Sequence, residues 1–251
     1  MRALATVCLA LLGALVGALV PRLAYRLSVP YGEPARTGCG HCARPLPLGP
    51  TGWFAVADRC PGCGTRLGPR LWLTVPAGAL AFGGLTWVLW PDPVLAALLF
   101  GTGVGLLLAP IDLAVLRLPD RLVAVMFVGS AGLLTMASVL TGDYPALLRA
   151  GLAGLAMAGG YFVLALLPGA QLGFGDVKLA GVLGLLLGWL GWGYLLAGAV
   201  LPHLINGPVV LVLLLTGRAG RRSGIPLGPA LLGGAFLAVV LLAGWQGRWF
   251  G

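Results

Sequence analysis

The sequence predicts an all-α polytopic membrane protein, with about eight transmembrane helices and a small zinc-binding loop domain. Three observations predict it. The 251-residue chain is 59% hydrophobic and only 9% charged, with a mean hydropathy of +0.99, whereas a soluble domain carries about a quarter charged residues. Its apolar residues gather in runs of the length that crosses a bilayer. Its one sizeable polar stretch contains two Cys-x-x-Cys pairs. The 42 glycines and 19 prolines follow no collagen period and no internal repeat; in membrane helices such residues allow close approach and are tolerated where neighbours satisfy the backbone.

The apolar runs cover about 3–20, 71–90, 94–116, 122–140, 146–167, 177–190, 192–215 and 226–245. The sixth is short and the seventh contains Pro202, so Gly191, flanked by Trp189 and Trp192, is expected to make the turn between them. The first run has a signal-peptide outline, but the basic stretch behind it resists export and no small-residue cleavage site closes it. The expected organisation is a first helix over 1–20, a cytoplasmic four-Cys loop domain over 21–70 and a membrane core over 71–251.

Positive charge sets the orientation. With 21–70 inside, Arg22, Arg26, Arg36, Arg44, Arg59, Arg66, Arg70, Arg117, Arg121, Lys178, Arg218, Arg221 and Arg222 are cytoplasmic, and only Arg2, Arg149 and Arg248 are outside. The net charge of +9 then calls for anionic lipid and no nucleic acid.

Residues 39–63 read CGHCARPLPLGPTGWFAVADRCPGC, with 17 residues between the pairs Cys39/Cys42 and Cys60/Cys63. This is a four-thiolate zinc pattern, and four protein ligands leave no open position, so such a zinc is structural. The alternative, two disulfides, suits an oxidising compartment. His41 reads as a bystander inside the knuckle and Cys8 as a packing residue. A piece of about 50 residues needs such a staple; its acids, Glu33 and Asp58, read as solvated.

Acids are scarce, seven in all. Asp92 and Asp143 lie in turn sequences, PDP and TGDYP. Asp120 follows Pro119 and reads as the N-cap of the next helix. Asp112 is embedded in GLLLAPIDLAVLRLPDRL (105–122), just after Pro110, which frees a backbone carbonyl; a carboxyl in an apolar span is a functional candidate by default. Asp176 stands in LGFGDVKLAG (172–181). N-capping is its plain reading, but Gly173 and Gly175 permit unusual backbone angles and close approach of a ligand, and Lys178 follows. Asp112 and Asp176 are 64 residues apart in sequence, yet both fall near the cytoplasmic ends of their spans. Two close carboxyls share a proton and can act as base and acid together. Other chemistries lack their motifs: no G-x-S-x-G, no H-E-x-x-H, no phosphate loop. Of the two histidines, His203 reads as packed at a helix interface.

GFGDVK (173–178) resembles the G-x-G-D signature of intramembrane aspartic peptidases. IDLAVLRLPDRL (111–122), CGHC with CPGC, and IPLGP (225–229) resemble, in order, features of the prepilin leader peptidases. The resemblance implies catalytic aspartates at Asp112 and Asp176, with Gly173, Gly175 and Lys178 beside them as substrate-binding or backbone-shaping residues. It implies metal ligands at Cys39, Cys42, Cys60 and Cys63. It further implies cleavage of a short basic leader from pilin or pseudopilin precursors at the cytoplasmic face of a prokaryotic plasma membrane. Many members also methylate the new N-terminus with S-adenosylmethionine. Here LGPRLWLTVPAGAL (67–80) has no acid where the family has Y-P-x-x-E, and ALVPRLAYRL (18–27) lacks its asparagine; both departures argue against methylation. Two other readings of the residues stand beside this one: an ion-coupled transporter built on intramembrane aspartates, and a catalytically silent assembly platform.

Overall fold

The computed structural model describes residues 1–167, 172–216 and 226–249. Arg218, Arg221 and Arg222 of the orienting charges, and Ile225 of IPLGP, lie outside the described residues. Nine helices and no strand make up the described chain. They are α1 (Arg2–Leu27), the single-turn α2 (Pro50–Trp53), α3 (Leu71–Leu89), α4 (Val94–Val115), α5 (Asp120–Thr141), α6 (Tyr144–Ala165), α7 (Phe174–Leu190), α8 (Trp192–Leu215) and α9 (Gly228–Trp249). Each of the eight apolar runs is thus a helix. Six of these, α1, α3, α4, α5, α6 and α9, are long and apolar enough by themselves to cross a membrane.

The sixth run differs for a physical reason. Helix α7 has 17 residues, eleven of them buried; it is the central helix, enclosed by its neighbours. Gly191, at φ 139°, is the whole connection to α8. Its backbone angle is one that residues with a Cβ rarely adopt. Short connections also join α3 to α4, α4 to α5 and α5 to α6, so consecutive helices run antiparallel. The C-terminal ends of α1, α4, α6 and α8 therefore share one side with the Cys-bearing loop and with the N-terminal ends of α3, α5, α7 and α9.

Small residues set the closest packing. A Cβ on Gly184 would lie 2.7 Å from the Ala153 carbonyl oxygen, and Gly13 and Gly78 face one another's backbone across α1 and α3. Close backbone approach of this kind is the usual glue between membrane helices. Large apolar side chains such as Leu4, Val7, Leu11 and Leu15 of α1 are exposed instead, as lipid-facing positions should be.

Helix α1 runs seven residues past the first apolar run, carrying Arg22 and Arg26 as buried side chains rather than loop charges. Arg22 leaves Nε and one terminal nitrogen without a partner. Arg26 is wholly buried and reaches into the loop. It donates to the carbonyls of Arg36 (3.3 Å), Pro47 (2.7 Å) and Gly52 (3.4 Å) and lies 4.8 Å over the Trp53 ring. One guanidinium thereby ties three loop segments to the end of α1. Arg26→Met leaves those carbonyls unpaired and is expected to destabilise the loop by about 2 kcal/mol, seen as faster proteolysis between residues 28 and 70 at unchanged helix content.

Arg149, on the opposite side, has a specific task. Its guanidinium donates to the carbonyls of Gly188 (2.8 Å) and Trp189 (2.5 Å), the last acceptors of α7, where a cation also meets the negative end of the helix dipole.

Candidate active site and metal centre

Asp112 lies in the last turn of α4 and is 4% exposed. Its Oδ2 accepts from the backbone N–H of Gly228 at 3.0 Å. Gly228 opens α9, so the carboxyl faces the positive end of a helix that begins 116 residues further along the chain. Glycine is required by space: a Cβ at 228 would sit 2.8 Å from Asp112 Oδ2.

Asp176 occupies the third position of α7. Its Oδ2 accepts from the Gly173 N–H at 3.2 Å, which is the glycine-compatible half of a capping box. Its Oδ1 is buried with no partner. Both aspartates thus sit at helix N-termini, Asp112 at another helix and Asp176 at its own. They line one cavity of about 260 Å³, each within the other's electrostatic reach.

The two glycines beside Asp176 act differently from expectation. Gly173 has φ −73° and ψ 147°, and Gly175 is helical; neither adopts a positive φ. What they supply is proximity. A Cβ on Gly175 would press to 3.1 Å on Leu118, in the α4–α5 connection, and one on Gly173 would approach Asp176 Oδ2 at 3.5 Å. The α7 terminus is thereby seated beside the α4 terminus, which brings the two aspartates to one cavity.

Asp120 is not the N-cap of α5; that position belongs to Pro119, whose side chain accepts nothing. Asp120 pairs instead with Lys178 Nζ at 2.5 Å, both side chains about half exposed. Paired, the two residues bridge the starts of α5 and α7 at the rim of the cavity. Such an exposed pair contributes little stability.

Two lining residues were not among the sequence-predicted site residues. Tyr31, just beyond α1, walls the cavity. Arg117 holds it there, donating to the carbonyls of Val29 (3.2 Å) and Pro30 (2.8 Å) with its guanidinium 4.8 Å over the Tyr31 ring. Two other acids are structural: Asp92 accepts from the Val94 N–H, and Asp143 caps α6 through Ala146. Asp58, read as solvated, accepts from the Leu71 N–H at the start of α3. His203 of α8, read as packed, is exposed but stacks on Tyr161 of α6, with its Nε2 3.2 Å from the phenol oxygen.

In the loop, the sulfurs of Cys39, Cys42, Cys60 and Cys63 all lie within 4.8 Å of one another and can hold a metal ion. Cys39–Cys63 and Cys42–Cys60 are each 3.7 Å apart, and all four cysteines are free. A disulfide is about 2.05 Å; the edge of a zinc–thiolate tetrahedron is about 3.8 Å. The two knuckles repeat one another. Cys39 N–H donates to Arg44 and Ala43 N–H back to Cys39, as Cys60 N–H does to Thr65 and Gly64 N–H to Cys60. The left-handed position is Ala43 in one (φ 55°) and Gly64 in the other (φ 69°). Leu46 and Leu67 follow at matching places, both in the small core under the sulfurs. The Thr65 hydroxyl and amide hold the Cys63 thiol at about 5. Cys42 is pushed up to about 11, because its sulfur neighbours outweigh the help of the Arg44 amide. Four thiolates cannot crowd together without a cation, and the set fits one.

A sequence model of the type IV leader peptidase family matches residues 99–217, the stretch that holds both aspartates. Three relatives named prepilin leader peptidase/N-methyltransferase illustrate the likeness. That of Aeromonas hydrophila is 32% identical over 231 residues, 86% of this chain and 73% of the relative. That of Burkholderia pseudomallei strain 1026b is 34% identical over 220 residues, 84% of this chain and 67% of the relative. That of Bacillus subtilis is 28% identical over 214 residues, 81% and 80%. No solved structure matches the chain significantly.

Proposed function

Because the chain belongs to the type IV leader peptidase family, we propose that it is an aspartic endopeptidase that removes the short basic leader from prepilin and pseudopilin precursors at the cytoplasmic face of the membrane. Asp112 and Asp176 are its catalytic pair. The observation that carries this reading is that two carboxyls from distant helices, each anchored by one backbone N–H, line the same small cavity.

One carboxylate takes a proton from water as its oxygen attacks the scissile carbonyl carbon. The other, protonated, donates to the carbonyl oxygen. When the tetrahedral intermediate collapses, the C–N bond breaks, the departing nitrogen takes the proton held by the first carboxyl, and a hydroxyl of the intermediate returns its proton to the second as the carbonyl re-forms. The buried, unpartnered Oδ1 of Asp176 is the atom left free to carry a proton or meet water. The Gly173 and Gly228 amides keep the carboxyls aimed. Cytoplasmic placement is supported by the described charges: Arg36, Arg44, Arg59, Arg66, Arg70, Arg117, Arg121 and Lys178 all share the loop side.

The four cysteines hold a structural zinc in this reading, since a closed thiolate set leaves no site for substrate. Purified protein should carry one zinc per chain by elemental mass spectrometry. Cys39→Ser or Cys60→Ser should lose it and open the loop to protease, because zinc binding supplies on the order of 10 kcal/mol to such folds. Full zinc content with both cysteines replaced would exclude this ligand set.

The peptidase itself is tested by mixing membranes containing the protein with a prepilin bearing a basic leader, and reading the new N-terminus by mass spectrometry. A single cut at the leader junction is expected. An intact precursor, across several precursors and with folded protein, would reject the reading. Adding S-adenosylmethionine to the same reaction reports methylation directly, as a 14-dalton gain; no gain is expected from a chain without an acid in 67–80.

A further inference from the structure

Besides the catalytic cavity, the described residues form a long apolar groove of about 1030 Å³ on the membrane face of the bundle. Its walls are α5 and α6, which touch each other little along their length, and its floor is α7. Ala124, Phe127, Leu148, Gly151, Ala158 and Gly181 line it. We propose that this groove seats the apolar stem of the precursor as a single membrane-spanning helix, laid along α7 with its N-terminal end delivered to Asp112 and Asp176. The proposal rests on the peptidase reading and deepens it.

Three features select that occupant. The first is length. The groove reaches from Asp120 and Lys178 on the loop side to Tyr144 on the other, and α6 lines it from Tyr144 to Ala158, about 22 Å at 1.5 Å per residue. That is most of the hydrocarbon core of a bilayer, about 30 Å. A lipid tail belongs to one leaflet, about half that core, and falls short of it. The second is the floor. Gly151, Gly154, Ala158 and Gly181 are small, and a Cβ on Gly151 would meet nothing within 4 Å. A recessed small-residue surface lets a guest backbone come close. The third is continuity. Asp120 and Lys178 line both the groove and the catalytic cavity, so a helix in the groove leads its preceding residues to the carboxyls. A second copy of this chain could share the first two features but has no use for the third.

The test fills the groove without touching the site. Gly151→Leu places a side chain in open space, and leucine favours a helix over glycine by about 1 kcal/mol, so folding is not threatened. Gly159→Leu is the control: it lies on the same helix, also open, outside the groove. Cleavage of a full precursor in membranes by Gly151→Leu should fall about tenfold at unchanged thermal midpoint, while Gly159→Leu cleaves as the wild type does. In an Asp176→Asn background, a benzoylphenylalanine at Phe127 should cross-link to the precursor within its apolar stem. Wild-type cleavage speed in Gly151→Leu, or cross-links only to lipid or to a second copy, overturns the groove and leaves the peptidase standing. Absence of cleavage by the wild type itself overturns both.

Discussion

Asp112→Asn and Asp176→Asn are each expected to reduce leader cleavage by about 10³-fold or more, at unchanged expression and zinc content. A general acid or base contributes roughly 10²–10⁴ in rate, and two groups that share one proton fail together, so the double variant falls little further than either single one. The substitutions are nearly isosteric. Asparagine can keep the acceptor toward Gly228 or Gly173 through its amide oxygen, so folding is preserved while the proton store is lost. The measurement is single-turnover conversion of precursor to mature product. Cleavage at wild-type speed in either variant removes that residue from the chemistry. Asp120→Asn is the internal contrast. It breaks only a half-exposed ion pair and is expected to change the rate less than tenfold, about what a 1.4 kcal/mol shift would produce.

Gly228→Ala is expected to be nearly as damaging, although it adds one methyl and removes no functional group. The added carbon would stand 2.8 Å from Asp112 Oδ2 and 3.2 Å from its carboxyl carbon. A contact that close forces a shift, and the carboxyl, which borders the cavity, is the group that yields. Misplacement of a reacting group by about 1 Å costs on the order of 10²-fold. The effect should fall on kcat with KM little changed, because the substrate's stem and leader bind elsewhere. Equal loss in kcat and in affinity would instead place Gly228 in substrate binding. Gly233→Ala, on the same helix with open space around it, should be silent.

Much of the architecture was legible in the chain because hydrophobic length is a local property. Eight apolar runs became eight long helices, and Cys spacing marked the cluster that can hold a metal. The aspartates stood out because the sequence has so few acids. What could not be read were contacts made by backbone. The Gly228 amide that holds Asp112 has no side-chain signature; IPLGP pointed to the place, but not to the donor. Charge counting grouped Arg22 and Arg26 with the loop and Arg149 opposite it, without showing that Arg26 threads the loop or that Arg149 ends α7. The glycines flanking Asp176 suggested a conformational hinge, whereas the backbone there is ordinary and the need is for closeness to Leu118. Asp120 looked like a cap because it follows proline, but a lysine 58 residues away claimed it.

The reach from Asp112 to the start of α9 also has a meaning in time. A chain emerging from the ribosome inserts its spans in order, and both aspartates are in place well before α9 appears. Until then Asp112 has neither its amide partner nor the positive end of a helix beside it. In the proposed reading, the carboxyl pair therefore gains its full geometry only once α9 has joined the bundle, so that assembly of the helices is itself the arming step.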